Sequence, residues 1–155
     1  MTTAQKYEKY TLPMFGKRTF EAVSGKGCVL TGADGKKYLD FGAGIAVNSL
    51  GHANPRWVKA VARQAATLAH CSNLYLTKVH ADLAEKLVGL IGGGKMFFCN
   101  SGTEANEALI KAARLHGVKV AGKEGVKCRI VTAVDCFHGR TLGASSITSS
   151  YRYRR

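Results

Sequence analysis

The residues of this sequence best suited to chemistry lie in one short stretch, residues 98–108, which reads FCNSGTEANEA. A predicted strand ends there at a turn of small residues, and a helix begins directly after it. Gly102 lets the backbone approach an oxygen closely, and the first amides of the helix point outward without partners. The helix end adds roughly half a positive charge, and the hydroxyls of Ser101 and Thr103 offer further donors. This arrangement suits a phosphate group.

The same turn has a second interpretation, in which Ser101 or Thr103 only caps the helix while Glu104 or Asn106 supports the cap. The turn lacks the Gly-Lys-Ser/Thr ending of a P-loop and the GxGxxG pattern of a dinucleotide-binding turn. Residue types and spacing therefore leave both a helix cap and a phosphate site open.

The helices that position this turn follow from apolar residues at helical spacing and from their start and stop signals. On the helix after the turn, Glu107 and Lys111 stand at the favourable i, i+4 spacing on the outer, solvated side. The predicted helices span about 55–69, from near Thr77 to the glycines at 92–94, and from Glu104 to about His116, where Gly117 ends the last one.

The predicted strands lie on either side of that last helix, at residues 95–99 and 127–134, and both read as buried. Strands separated by helices indicate an α/β fold with parallel crossovers. A small β element precedes them, because two β-rich runs within residues 28–41 flank an Asp-Gly turn signal. The glycine-rich run at 42–52 suits a buried loop or a chain that passes close to another segment.

Composition fits a folded protein, since 46% of the 155 residues are hydrophobic and 21% are charged, unlike disordered chains. A net charge of +13 is typical of proteins that bind nucleic acids. Here, however, the basic residues are scattered along the chain, and the only dense cluster is YRYRR at residues 151–155. That segment is either a solvated tail or an RNA-binding tail. We expect no nucleic-acid partner.

The five cysteines and five histidines show no metal-ligand spacing, which predicts no metal site. The odd number of cysteines and the lack of a CxxC pair favour a reducing compartment. No window approaches the roughly 18 apolar residues of a membrane span, and the start of the chain lacks an apolar signal core. We expect a cytoplasmic protein without membrane contact.

Three blocks of the sequence, in order, resemble the class III pyridoxal-phosphate-dependent aminotransferases, most closely those that act on N-acetylornithine. The blocks are residues 38–52 (YLDFGAGIAVNSLGH), 100–114 (NSGTEANEALIKAAR) and 137–143 (FHGRTLG). The resemblance implies a partial type I pyridoxal-phosphate-dependent transferase fold. Residues 1–50 would form an N-terminal arm and β-hairpin segment, and residues 51–155 would form an incomplete large cofactor-binding domain.

The resemblance also implies roles for individual residues. Ser101, Gly102 and Thr103 would bind the phosphate of pyridoxal 5'-phosphate. Phe137 would stack on the pyridine ring of this cofactor, or else be an ordinary core phenylalanine. Arg140 would contact a substrate carboxylate, which its planar fork suits, or else form a structural ion pair.

The implied reaction transfers the side-chain amino group of N-acetylornithine to 2-oxoglutarate in arginine biosynthesis, in a homodimer. Class III enzymes that act on ornithine, succinylornithine or 4-aminobutyrate remain alternatives, as does a non-catalytic remnant that binds cofactor or a partner. Transamination needs a lysine that forms a Schiff base with the cofactor, and in this family that lysine lies beyond residue 155. Lys111, two turns inside a helix, does not replace it. We expect no catalytic residue in this chain and no activity from residues 1–155 alone.

Overall fold

The computed structural model describes residues 1–149, so the basic segment at 151–155 lies outside the described residues. The chain divides into two compact units, one of Met1–Tyr75 and one that begins at Leu76. None of the helices in the described range combines the length and the apolar character that crossing a membrane requires.

The first unit begins with a helix and a three-stranded antiparallel sheet. The sequence pattern does not predict the helix, because its residues show no apolar periodicity, and reciprocal capping bonds between Thr2 and Gln5 stabilise its first turn. The elements are α1 (Thr3–Tyr10), β1 (Ala22–Lys26), β2 (Val29–Gly32) and β3 (Lys37–Leu39), and the strand order is β1-β2-β3.

Strands β2 and β3 form the predicted hairpin around Asp34 and Gly35. The Asp34 carboxylate accepts hydrogen bonds from the Tyr38 hydroxyl at 2.7 Å and from the Lys36 amide at 3.0 Å. These bonds explain why a short Asp-Gly sequence determines the turn.

The glycine-rich segment continues into α2 (Ala43–Ala46), a single turn whose four residues all have positive φ. The prediction that this segment is buried is wrong for Ile45, which is 95% exposed. The alternative, a close approach to another segment, is confirmed at Gly51. A Cβ there would lie 3.0 Å from the Gly27 backbone, and Gly27 exchanges main-chain hydrogen bonds of 2.9 and 2.8 Å with His52.

Two of the predicted helices are confirmed with bounds close to those expected. In the first unit, α3 spans Pro55–Thr67, and the Asn54 side chain caps it by accepting from the second and third amides at 3.0 and 3.2 Å. In the second unit, α4 spans Lys78–Ile91 and ends at Gly92 in the left-handed conformation, with φ of 79°.

The helix after the functional turn is longer than predicted. It is α5 (Gly102–Ala121), and Gly122 ends it. Gly117 lies inside the helix, where a Cβ would collide with the Lys127 carbonyl, so this glycine permits close packing and is not a stop signal. A further short helix, α6 (Leu142–Ile147), packs on α5, and its low-propensity residues are not recognised from the sequence.

The two predicted parallel strands are not formed as strands. Residues 95–99 and 127–134 follow extended or irregular paths without a strand partner among residues 1–149. Their composition suits a buried strand, but a strand also needs a hydrogen-bonded neighbour, and composition does not supply one.

Burial is slight for a chain of this size. Ala144, in α6, and Thr148, the C-cap residue of that helix, are fully buried among the described residues. The accessible area is 13693 Å², whereas a folded monomer of 16.6 kDa exposes about 7,600 Å². Many large apolar side chains are exposed, and examples are Phe41, Val47, Leu74, Phe97, Val131 and Leu142.

Candidate functional site

The turn that opens α5 is organised by Ser101, which is the N-cap of that helix. Its Oγ accepts a hydrogen bond from the Glu104 amide at 3.2 Å, and Glu104 accepts one from the Asn100 amide at 2.6 Å. The predicted cap is therefore present, with Glu104 as its support. The Ser101 hydroxyl acts as an acceptor in this bond, so its proton remains available to a ligand.

The next two amides, of Gly102 and Thr103, are the first of α5 and have no carbonyl one turn earlier to bond. Within residues 1–149 neither amide makes a main-chain hydrogen bond. A Cβ at Gly102 would meet no heavy atom within 4 Å, so the space in front of the turn is open. Unbonded amides, an open approach and the positive end of a 20-residue helix together suit an anionic ligand.

A second segment, residues 137–140, is held against the same helix. The Asn106 amide group donates to the His138 carbonyl at 2.7 Å, and the His138 amide donates to Thr148 Oγ1 at 3.0 Å. Thr103 Oγ1 also lies 3.2 Å from Thr141 Oγ1. The structure thus brings the start of α5 and residues 137–140 together, although more than 30 residues separate them in sequence.

Two glycines make this approach possible. A Cβ at Gly139 would overlap the Thr103 side chain, and the φ of Gly139 is 129°, which disfavours other residues. A Cβ at Gly143 would overlap the Glu107 carboxylate. The FHGRTLG block therefore carries glycine at two of the positions where it lies against α5.

Glu107 links α5 to α6 and is not the solvated partner of Lys111 that its spacing predicts. Its side chain is half-buried, and its carboxylate accepts from Thr141 Oγ1 and from the Ala144 amide, the latter at 3.2 Å. The bond from Thr141 is the main reason that the pKa of Glu107 lies below its usual value, against an opposing contribution from burial. Lys111 itself is exposed.

The predicted site residues occupy this region of the second unit. Ser101, Gly102 and Thr103 form the start of α5, while Phe137 and Arg140 flank the buried Gly139. Phe137 is 55% exposed in this chain. Arg140 is exposed as well. The residues that hold these segments together were not predicted, and they are Asn106, Glu107, Gly139, Thr141 and Gly143.

The backbone of His138 makes two of the hydrogen bonds that hold this segment, through its carbonyl and its amide. Its ring Nε2 is buried and has no hydrogen-bond partner within residues 1–149. In the first unit, the glycine-rich block places the Asn48 amide group 3.0 Å from Nδ1 of His52. Within the described range, no group of three or more His, Cys, Asp or Glu side chains could hold a metal ion.

Comparison with solved structures identifies the fold. An omega transaminase from Pseudomonas jessenii, solved in complex with PMP, matches with a TM-score of 0.87 at 28% identity. The match covers 100% of this chain and 36% of the transaminase chain. Ornithine aminotransferase from Toxoplasma gondii matches with a TM-score of 0.88 at 24% identity, over 98% and 37% of the two chains. The expected partial fold of a pyridoxal-phosphate-dependent transferase is confirmed.

Comparison with sequences identifies the family. The model for "Aminotransferase class-III" matches residues 15–155. Acetylornithine aminotransferase from Methanocaldococcus jannaschii is 48% identical over 147 residues, and that from Mycolicibacterium smegmatis is 46% identical over 149. These matches cover 95% and 96% of this chain, which spans 36% of the length of either curated relative. The chain belongs to the class III aminotransferases.

Proposed function

We propose that this chain is the N-terminal part of an aminotransferase that moves the side-chain amino group of N-acetylornithine to 2-oxoglutarate. The observation that carries the proposal is that hydrogen bonds from Asn106 and Thr103 of α5 reach His138 and Thr141, in the segment that also carries the exposed Phe137 and Arg140. Relatives named acetylornithine aminotransferase support this choice of donor. The reaction belongs to arginine biosynthesis.

Class III aminotransferases use pyridoxal phosphate, and the residues at the junction fit that cofactor. The Ser101 hydroxyl and the amides of Gly102 and Thr103 would bind its phosphate, since they are the donors that the α5 turn leaves available. Phe137 would lie against its ring, because its exposed face can pack on a flat aromatic group. When bound, the cofactor supplies the electron sink for the substrate carbon.

Arg140 would bind a carboxylate of the substrate. Its guanidinium offers paired donors in one plane, a geometry that matches a carboxylate. The side chain is exposed, on the segment that Asn106 holds through the His138 carbonyl. This role links the chain to amino donors and acceptors that carry carboxylates.

We infer that residues 1–155 do not catalyse the reaction alone. Lys111 is the lysine of the 100–114 block, and it is an exposed residue of α5 beyond the proposed phosphate turn. We propose that the covalent link to the cofactor comes from a lysine outside residues 1–155. The active form would be a cytoplasmic homodimer, with residues 1–50 as an arm and hairpin segment and residues 51–155 as part of the cofactor-binding domain.

The first alternative is a class III enzyme with another amino donor, such as ornithine, succinylornithine or 4-aminobutyrate. The solved structures that this chain resembles include an omega transaminase. A non-catalytic remnant that retains only the cofactor turn is the second alternative.

The test compares two proteins, residues 1–155 and the same chain with any further residues that its gene encodes. Each is mixed with pyridoxal phosphate, and we expect the visible absorption of covalently bound cofactor only in the longer protein. Glutamate formation from 2-oxoglutarate is then measured with N-acetylornithine and the three alternative donors. Faster turnover of another donor would exclude the acetylornithine assignment, and turnover by residues 1–155 would refute the inferred inactivity.

A further inference from the structure

The turn α2 in the first unit is built from residues that disfavour its conformation. Ala43, Ile45 and Ala46 have φ angles of 44°, 64° and 61°, and the ψ of Ile45 is 57°, so the turn is left-handed. Left-handed backbone disfavours a residue that has a side chain by about 5- to 30-fold, and a branched side chain such as that of Ile45 fits it worst. For three such residues the penalties multiply to about a hundredfold or more. The turn is therefore strained.

Neither packing nor the turn's own hydrogen bonds explain why it stays left-handed. Ile45 is 95% exposed, and Val47, which follows the turn, is 80% exposed, so side-chain packing contributes little. The amides of Ile45 and Ala46 donate to the Gly42 carbonyl at 2.8 and 3.0 Å. A right-handed turn of the same residues would form the same bonds, so these bonds do not select the hand.

A chain of hydrogen bonds between three side chains holds both ends of the turn, and we call it the latch. Oδ1 of Asp40 accepts from the amides of Gly42 and Ala43 at 3.0 and 2.8 Å, and Oδ2 pairs with Nε2 of His52 at 2.7 Å. Nδ1 of His52 lies 3.0 Å from the amide group of Asn48. The latch therefore fixes the chain before the turn at Asp40 and after it at Asn48.

His52 anchors the latch to the sheet. Its main chain exchanges two hydrogen bonds with Gly27, and a Cβ on Gly25 of β1 would lie 2.7 Å from the imidazole ring. The side chains of His52 and Asp40 are 28% and 14% exposed, so their bond is largely shielded from water. A fixed, shielded latch thus holds an exposed, strained turn.

We propose that α2 is a conformational switch, which the latch holds in the left-handed state. When the bond between Asp40 and His52 breaks, residues 43–46 relax towards right-handed backbone, and the side chain of Ile45 changes direction. The switch is independent of the proposed function, because none of its residues belongs to the α5 turn or to residues 137–140.

The first test measures the strain. Hydrogen exchange of the peptide that covers residues 42–48 is followed by mass spectrometry in the protein with all residues that its gene encodes, relative to the unfolded peptide of the same sequence. Ile45→Gly removes the strained side chain and should slow this exchange by about threefold or more, even after the flexibility of glycine is counted.

The matched control is Val47→Gly. Val47 is also exposed and branched at Cβ, but its φ is −83°, so glycine relieves no strain there. This variant should speed the exchange of the same peptide by about two- to fivefold, because glycine only loosens the chain. The two substitutions are therefore expected to act in opposite directions.

The second test opens the latch. Asp40→Ala removes the acceptor of two amides and the partner of His52, and it should speed exchange of residues 42–48 by about tenfold or more. Adding Ile45→Gly to Asp40→Ala should restore part of the lost protection, because the turn then has less strain to release. Adding Val47→Gly should restore none.

Two results would overturn the proposal. If Ile45→Gly speeds exchange as Val47→Gly does, the turn stores no strain. If Asp40→Ala leaves exchange unchanged, the latch does not hold the turn. Should Asp40→Ala fail to fold, Asn48→Ala opens the other end of the latch and should speed exchange by about two- to tenfold, and an unchanged rate in that variant would overturn the proposal equally.

Discussion

The main-chain amide of Ala144 lies 3.2 Å from the Glu107 carboxylate, so one side chain of α5 binds the first turn of α6. The same carboxylate accepts from Thr141, the N-cap residue of α6. A glutamate from a neighbouring helix therefore satisfies donors that a short helix leaves unbonded at its start. This contact holds the segment that carries Phe137 and Arg140.

The contact should depend on pH in one direction. The folded protein lowers the pKa of Glu107 below its ordinary value of 4.5. The stabilisation is therefore complete above pH of about 4.5 and is lost as the pH falls through the lower, folded value. In the protein with all residues that its gene encodes, the difference in urea unfolding midpoint between the unaltered chain and Glu107→Gln should shrink below pH of about 4.5. A difference that grows there would contradict the assigned ionisation.

Gly139→Ala should destabilise the protein that has all residues its gene encodes. A residue with a side chain is strained at a φ of 129°, and the added Cβ would also overlap the Thr103 side chain. The backbone strain alone costs about 1–3 kcal/mol, and thermal or urea unfolding would measure the loss. The control is Gly89→Ala inside α4, where a Cβ meets nothing within 4 Å and helix propensity predicts a gain of about 0.5–1 kcal/mol. Equal effects at both sites would refute the close contact at Gly139.

The Asp40 carboxylate should anchor the glycine-rich segment of the first unit. It accepts from the amides of Gly42 and Ala43 at 3.0 and 2.8 Å and pairs with Nε2 of His52 at 2.7 Å. Asp40→Asn should increase protease cleavage within residues 42–51, because one acceptor oxygen becomes an amide donor. Asp82→Asn, which removes an exposed charge paired with a lysine, should not.

The His52 bond is the largest reason that the pKa of Asp40 lies below its ordinary value of 3.8. The anchor should therefore persist at neutral pH and weaken only as the pH falls below about 3.8. If the protection of residues 42–51 from protease is lost between pH 7 and pH 5, a group other than the Asp40 carboxyl must anchor the segment.

Arg140→Lys should raise the KM for N-acetylornithine about ten- to a hundredfold in the protein with all residues that its gene encodes. A lysine keeps the charge but loses the paired donors, and a hydrogen bond to a charged group contributes about 1.5–3 kcal/mol. Steady-state kinetics would measure the change, with Arg114→Lys on the exposed surface of α5 as the control. An unchanged KM would remove Arg140 from the proposed substrate site.

Residues 1–155 produced alone should not behave as a stable monomer. The accessible area of 13693 Å² exceeds that of a compact monomer of this mass by about 6,000 Å², and exposed apolar side chains favour association. Sedimentation should show oligomers or aggregates, and calorimetry should show no sharp transition. A monomer that melts cooperatively would contradict this prediction.

The features that could be predicted from sequence are those with local causes. The cap at Asn54, the left-handed Gly92 and the Asp34-Gly35 turn each depend on the conformational preferences of adjacent residues. The small-residue turn at Ser101 was found for the same reason. The three sequence blocks also led to the correct family, because they preserve the residues of whole segments.

Tertiary structure decided the features that depend on distant neighbours. Residues 127–134 have the composition of a strand, yet they lack a strand partner within residues 1–149. The i, i+4 spacing of Glu107 and Lys111 suggested a solvated pair, whereas Glu107 binds Thr141, 34 positions further along the chain. A sequence pattern identifies the donors and acceptors that a residue carries, but only the packing of α6 on α5 determines which of them meet.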